Sequence, residues 1–469
     1  MDKQQTQRTA TLIAVLSLAC LILQPASAAP VSGKLPEPPA SRLIVKFRAS
    51  PDKTKSAATA AGRVTTMAAQ TGVGMTIQRE LSGGAHLVSM NRTMTRAELA
   101  IMARIWSRQP DIEYAEPDAR RYPALIPNDP SFARQYYLQH AAIERAAINA
   151  PAGWDTTTGS TDTTVAVIDT GIRPEHIDIA GRLTPGYDFI SNDPDGGFFT
   201  ANDGNGRDPN PADPGDGVMA GECGPGLPRQ NRPSDWHGTR VASLIGAVTN
   251  NGQGIAGVDW NARILPVRAI GRCAGFTSDL VDAARWAAGL PVPGVPDNPN
   301  PARIINLSFG GPGTCMASEQ DAIDDIIAAG ALVIAAAGNE ATNALRRSPA
   351  SCKGVLPVAA ATRDGALASF SNFGVKVGLI APGVDLLSAA NRGTQGPVSN
   401  GDTYSTISGT SFSAPLAAGV ASLMLSLNDS LTPQQLIATL RASARAFPPA
   451  VAGQRCSDPL CGAGFLDAA

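Results

Sequence analysis

Three short stretches carry side chains that could do nucleophilic chemistry together. From Thr164 the chain reads TVAVIDTG, an apolar run that ends on Asp169. Asp235 to Ala242 reads DWHGTRVA, with His237 just ahead of a run of small apolar residues. Ser408 to Pro415 reads SGTSFSAP, and Ser411 opens a stretch that stays almost wholly apolar or small to Leu427. A serine hydroxyl is a weak nucleophile until a base takes its proton, and the base needs an acid to fix its tautomer. Only four histidines exist, His86, His140, His176 and His237, so the choice of base is narrow.

Each residue also has an ordinary structural use. Asp-Thr-Gly is good turn chemistry, a histidine can begin a surface helix, and serine caps helices well. The combination argues for chemistry. All three types stand at element ends, and their chain order is one of the known orders for an acid–base–nucleophile set.

The elements that must position them alternate. Runs rich in Val, Ile and Ala at Thr164–Ile168, Arg263–Ala269, Ile304–Phe309, Leu332–Ala336, Leu356–Ala361 and Lys376–Ile380 read as strands buried on both faces. Helical patterns lie between them at Gly238–Val248, Thr277–Ala288, Ser318–Ala329 and Phe412–Leu427. This alternation predicts an α/β domain with a doubly wound, mostly parallel sheet. Asp169 then ends a strand at the edge where such sheets bind ligands. The apolar helix after Ser411 must run through the core, with Pro415 expected in its first turn.

A smaller α+β unit precedes this domain. Arg42–Phe47, Met75–Leu81 and His86–Asn91 read as strands, the last two joined through Gly83-Gly84. A helix is expected from Thr95 to Ile105 and a closing strand at Asp111–Ala115. Pro117, Pro123, Pro127 and Pro130 then break regular structure, a fit place for proteolysis.

The 469 residues exceed one average domain. Charged residues make up 17% with a net charge of −2, which gives no reason to expect nucleic acid or an anionic membrane as partner. Lys3 and Arg8 precede an apolar run from Leu12 to Leu23, followed by Ala26-Ser27-Ala28. This is the pattern of an export signal over residues 1–28; the run is short of the ~20 residues that span a bilayer. Cys20 leaves with it. Six cysteines remain: Cys223, Cys273, Cys315, Cys352, Cys456 and Cys461. An even count in an exported chain favours disulfides. Many pairings are open, and the sequential one is expected. The segment Asp203-Gly-Asn-Gly-Arg-Asp208 with Asp213 is oxygen-rich enough for calcium, with Asp203, Asn205, Asp208 and Asp213 as ligands, though a solvated acidic loop reads the same way.

The sequence resembles the subtilisin-like serine peptidases. The resemblance rests on DTG around Asp169, HGT at 237–239, GTSFSAP at 409–415 and Ala337-Gly338-Asn339 after a strand, and it covers about residue 129 to the end. It implies a secreted endopeptidase acting on proteins or peptides, with a Ser411–His237–Asp169 triad and Asn339 as oxyanion donor. It implies that Ser308, Phe309, Gly310 and Gly338 bind substrate. It also implies that residues 29–122 form an inhibitory propeptide, cut within 120–126, ahead of a catalytic domain at 126–469. No cofactor is expected for catalysis, no membrane once the signal is gone, and a monomer. Arg240, Ser243 and Ser413 depart from common family residues, without touching the triad. Two rival readings are a silent homologue, disfavoured because every catalytic position is filled, and a serine-carboxyl peptidase, disfavoured by His237.

Overall fold

The computed structural model describes residues 40–48, 56–118, 125–447, 456 and 460–469. The expected export signal lies outside these residues, as does most of the expected cleavage segment.

The N-terminal unit comprises β1 (Ala40–Phe47), α1 (Ser56–Thr71), β2 (Met75–Glu80), β3 (Ala85–Met94), α2 (Arg96–Ser107) and β4 (Ile112–Pro117). Its sheet runs β2-β3-β1-β4, with all three pairings antiparallel. Thr95 starts α2 as the sequence predicts: its Oγ1 accepts from Glu98 N at 3.2 Å, and Glu98 returns an acceptor to Thr95 N at 2.8 Å. Leu43, Val45, Val64, Val88, Leu99 and Trp106 give this unit a core of its own.

The larger part follows with α3 (Ala150–Trp154), β5 (Thr164–Asp169), β6 (Tyr187–Asp188), α4 (His237–Gly246), β7 (Arg263–Arg268), α5 (Thr277–Ala287), β8 (Ile304–Leu307), β9 (Gly311–Pro312) and α6 (Ala317–Ala328). It continues with β10 (Leu332–Ala336), β11 (Arg347–Ser348), β12 (Leu356–Ala361), β13 (Leu379–Pro382), β14 (Leu386–Asn391), β15 (Asp402–Ile407), α7 (Thr410–Leu427) and α8 (Pro433–Ala442). Seven strands form one sheet in the order β13-β12-β10-β8-β5-β7-β6, and every pairing in it is parallel.

Alternation along the buried strands explains the two-sided core. Val165 and Val167 of β5 pack with residues of α4, α7 and α8 on one face. Ala166 and Ile168 pack with residues of α5 and α6 on the other. Each fully buried Val, Leu or Ile contributes about 1.5–3 kcal/mol over leaving it in water. Helix α7 is apolar on nearly all sides because it is mostly buried.

The sequence placed the last sheet strand at Lys376–Ile380, and the structure moves it to Leu379–Pro382. Val377 N donates to Gly374 O, so this stretch begins as a turn. The expected sequential disulfides are all present: Cys223–Cys273, Cys315–Cys352 and Cys456–Cys461.

The described residues on either side of the proline-rich connection bond to different units. Asp118 N donates to Arg42 O at 3.1 Å, within the small unit. Asn128 N donates to Asn250 Oδ1 at 3.2 Å and Ser131 N to Gly254 O at 2.9 Å, within the large one.

Candidate active site

Asp169 is the last residue of β5 and is fully buried. Its Oδ1 accepts from Thr170 N at 2.8 Å and from His237 Nδ1 at 2.7 Å. A carboxylate on Nδ1 fixes the tautomer that leaves Nε2 free to act as base. His237 begins α4, and the close approach of that helix to the end of β5 requires Gly238: a Cβ there would lie 2.1 Å from Gly171 O and 3.1 Å from Asp169 Cβ. Thr170 braces the same contact. Its Oγ1 accepts from Gly238 N at 3.1 Å and donates to Asp213 Oδ2 at 2.9 Å.

Burial of the His237 imidazole works against its charged form. The charge and hydrogen bond of Asp169 work for it, with Asp235 and Asp216 adding to the pull, and the pKa is pushed up to about 9. Asp235 was not singled out by sequence reasoning, although it stands two residues before the histidine.

Ser411 lies in the first turn of α7, one residue later than the helix start, because Thr410 and not Ser411 is the first helical residue. Pro415 is therefore inside the helix, not in its first turn as the sequence suggested. Having no N–H, Pro415 cannot donate to the carbonyl four residues back, which is that of Ser411. Ser308 takes that role: its Oγ donates to Ser411 O at 2.7 Å, and Asn306 Nδ2 donates to Ser308 Oγ at 2.8 Å. Phe412, the next helical residue, packs its ring against His237 with centroids 5.1 Å apart.

Asn339 follows β10 and is oriented by Thr410. Its Oδ1 accepts from Thr410 N at 2.9 Å and Thr410 Oγ1 at 3.0 Å, while Gly338 N donates to Thr410 Oγ1 at 3.0 Å. With Oδ1 engaged twice, Nδ2 faces the turn before the serine: a Cβ on Gly409 would lie 3.5 Å from it. Thr170 and Thr410 were missed from the sequence. The available signal was their position inside the Asp-Thr-Gly and Gly-Thr-Ser motifs.

The matching model is that of the subtilase family, over residues 160–464. The chain belongs to the subtilase family. It is 41% identical to an extracellular protease of Xanthomonas campestris over 421 residues, covering 90% of this chain and 69% of that protein. It is 40% identical to an extracellular basic protease of Dichelobacter nodosus, covering 84% of this chain and 65% of that one. The chain thus spans about two thirds of the length of these curated relatives. Among solved structures, proteases from Pseudoalteromonas arctica match with 42% identity and a TM-score of 0.67, over 73% of this chain and 97% of that one. As a subtilase, the chain is a serine-type endopeptidase with the fold of that family.

The departures from common subtilase residues have structural partners in this chain. Arg240 donates to Asp235 O at 2.6 Å and to Ser405 Oγ at 2.9 Å, fastening α4 to β15. Ser243 Oγ accepts from Ala389 N at 3.0 Å, and Ser413 Oγ donates to Pro382 O at 2.9 Å.

The four expected calcium ligands do not form one donor shell. Asp203 Oδ2 accepts from Arg268 Nη1 at 2.7 Å. Asn205 turns its amide nitrogen toward Asp208 Oδ2. Asp213 points inward, to Thr170 Oγ1 and to Gly215 N at 2.8 Å. Burial, with the charge of Asp216, pushes its carboxyl up to about 7. Arg207, within the loop, pairs with Asp279 and Asp282, and the positive charge that Asp203 meets is that of Arg268. Arg268 is 1% exposed, stands beside Asp169 in strand register, and also binds Asp188 and Ala201 O.

Another pair of carboxylates fits a cation better. Asp129 is 4% exposed; its Oδ2 accepts from Asn250 N at 2.8 Å, while its Oδ1 is buried without a partner among the described residues. Asp178, fully buried, accepts from Ile255 N at 2.9 Å and Asn251 Nδ2 at 3.3 Å. Burial raises both carboxyls, and the charge of Asp178 adds to the rise at Asp129. An orphaned buried oxygen beside a second carboxylate is the donor chemistry of a hard cation.

Proposed function

We propose that Ser411 attacks the peptide carbonyl, with His237 as base and Asp169 as its orienting acid. The observation that carries this is the 2.7 Å bond from His237 Nδ1 to Asp169 Oδ1 at the end of β5. His237 takes the Ser411 proton through Nε2, Ser411 Oγ bonds to the carbonyl carbon, and the proton passes to the leaving amine. Water then opens the acyl-enzyme by the same base. Asn339 Nδ2 and the Ser411 backbone N–H receive the developing oxyanion. Ser308, Phe309, Gly310 and Gly338 border the substrate, with Ser308 acting also through its bond to Ser411 O.

The exported compartment follows from the leader-like N-terminus and from relatives named as extracellular proteases. Three disulfides suit that compartment. Residues 29–122, which include the small unit, act as an inhibitory propeptide, and the maturation cut falls within residues 120–126, ahead of the bonds that Asn128 and Ser131 make to the large unit. Protein substrates are the partners, with the propeptide as an intramolecular one.

Subtilases often hold structural calcium. Asp129 and Asp178 are the residues that would hold it here, and its contribution would be to neutralise two buried carboxylates.

Secreted wild-type chain should label with a fluorophosphonate probe, hydrolyse casein and shed its propeptide. Ser411→Ala should do none of these while keeping a wild-type circular dichroism spectrum. Retained self-processing and casein hydrolysis in Ser411→Ala would overturn the assignment.

A further inference from the structure

The strands β8 and β10 are neighbours in the sheet, and Asn339 stands in the segment that leaves the carboxyl end of β10. That segment also carries Gly338, and the one after β8 carries Gly310. A third side chain lies across both. Arg347 Nη2 donates to Gly310 O at 3.1 Å, and its Cγ is 3.2 Å from where a Cβ on Gly338 would stand.

The arginine is held in place. The same Nη2 pairs with Glu340 Oε1 at 2.9 Å, and Glu340 Oε2 accepts from Asn372 Nδ2 at 2.8 Å. The backbone of Arg347 is fixed too, because β11 pairs with β9 immediately after Gly310. Its Nε is buried without a partner among the described residues. The Arg347 side chain is 16% exposed and that of Glu340 is 42% exposed, so the carboxylate is the open member of the pair.

We propose that Arg347, held by Glu340, sets which side chain the enzyme accepts next to the scissile bond. This deepens the proposed function and rests on its placing of Gly310 and Gly338 at the substrate. The guanidinium takes up the depth between the two strand ends and presents positive charge there. Peptides with an uncharged side chain of leucine size at this position are favoured. Lysine and arginine are rejected, because they meet a like charge and could reach Glu340 only by displacing its partner. Discrimination of this kind works through a repulsive element in the pocket as much as through new contacts.

The test uses mature enzyme and a pair of peptide substrates that differ only in leucine or lysine before the cleaved bond. Active enzyme is counted by fluorophosphonate titration, so failure of the proposed catalytic residues shows as absent labelling in the wild type. Wild type should favour leucine by at least about 100-fold in kcat/KM. In Arg347→Ala the bared Glu340 carboxylate should raise the lysine-to-leucine ratio by about 10-fold or more, within the range that single pocket contacts discriminate. Glu340→Gln added to Arg347→Ala should cancel that gain. An unchanged ratio in a labelling-competent Arg347→Ala overturns the proposal, as does a gain that survives loss of Glu340. Should Arg347→Ala fail to fold, Glu340→Gln alone decides. It leaves Arg347 without its counter-charge, so cleavage after glutamate relative to leucine should rise by about 10-fold, and no rise overturns the proposal.

Discussion

Ser308 and Ser411 are 103 residues apart in sequence, and the hydroxyl of the first closes the carbonyl of the second at 2.7 Å. The carbonyl needs an outside donor because Pro415 stands where the helix would have supplied one. The proline thus ties the first turn of α7 to the residue that follows β8. Ser308→Ala should leave this carbonyl and the Asn306 amide without their shared partner, a cost of about 1–3 kcal/mol. The expected result is kcat reduced about 10-fold with KM little changed, read by steady-state kinetics on a peptide ester and a peptide amide.

The charges around His237 predict alkaline activity. With its pKa raised to about 9, the imidazole is protonated at neutral pH and gains its base form only as the pH climbs. The kcat/KM profile should rise with pH to a limb near that value. Asp235→Asn and Asp216→Asn should each move the limb to lower pH, because each removes charge favouring the imidazolium. The stability effect has the matching sign. The raised pKa contributes stability that is fully present below the ordinary value of 6.5 and is lost as pH rises through about 9. A limb that stays fixed in both variants would remove these two carboxylates from the account.

Arg268 makes a separate claim about stability. Arg268→Met strands Asp188, which is fully buried, and frees Asp203. Removing one partner of a buried pair costs about 3–5 kcal/mol. Denaturant unfolding should show a loss of that order, and the double variant Arg268→Met with Asp188→Asn should regain part of it. Equal stability of single and double variants would contradict the pairing.

The Asp129–Asp178 pair predicts sensitivity to chelation. Treatment with a calcium chelator should lower Tm by more than about 5 °C, since a ligand bound only to the folded state stabilises it. Asp129→Asn should have the lowered Tm from the start and respond little to chelator. A wild-type Tm that ignores chelator removes calcium from the reading.

How far the sequence revealed this molecule varies with the physics involved. Five sheet strands were legible because strands buried on both faces read as unbroken apolar runs, as at Leu332–Ala336 and Leu356–Ala361. Strand β15, Asp402–Ile407, went unread because its polar side chains are half-exposed and its partner β14 lies beyond a loop. Helix α1 was hidden by Thr and Gly in an otherwise alanine-rich stretch. At the candidate site, local motifs point to Asp169, His237, Ser411 and Asn339, and the structure pairs Asp169 with His237 and Asn339 with Thr410, the neighbour of Ser411. The acidic loop is harder to read, because composition shows how many carboxylates a segment has and not where they point: Asp203 faces an arginine and Asp213 a threonine. Arg347 and Glu340 were invisible, because three separate segments meet at that pair.

The disulfides carry one more implication. Each of the six cysteines after Cys20 pairs within residues 223–461, so none of them is left to bridge to the small N-terminal unit. A single cut at the proposed place, within residues 120–126, would therefore sever the whole covalent link between the two parts. Under the proposed maturation, the cut piece would keep no covalent tie to the larger part, and dilution outside the cell would favour its departure.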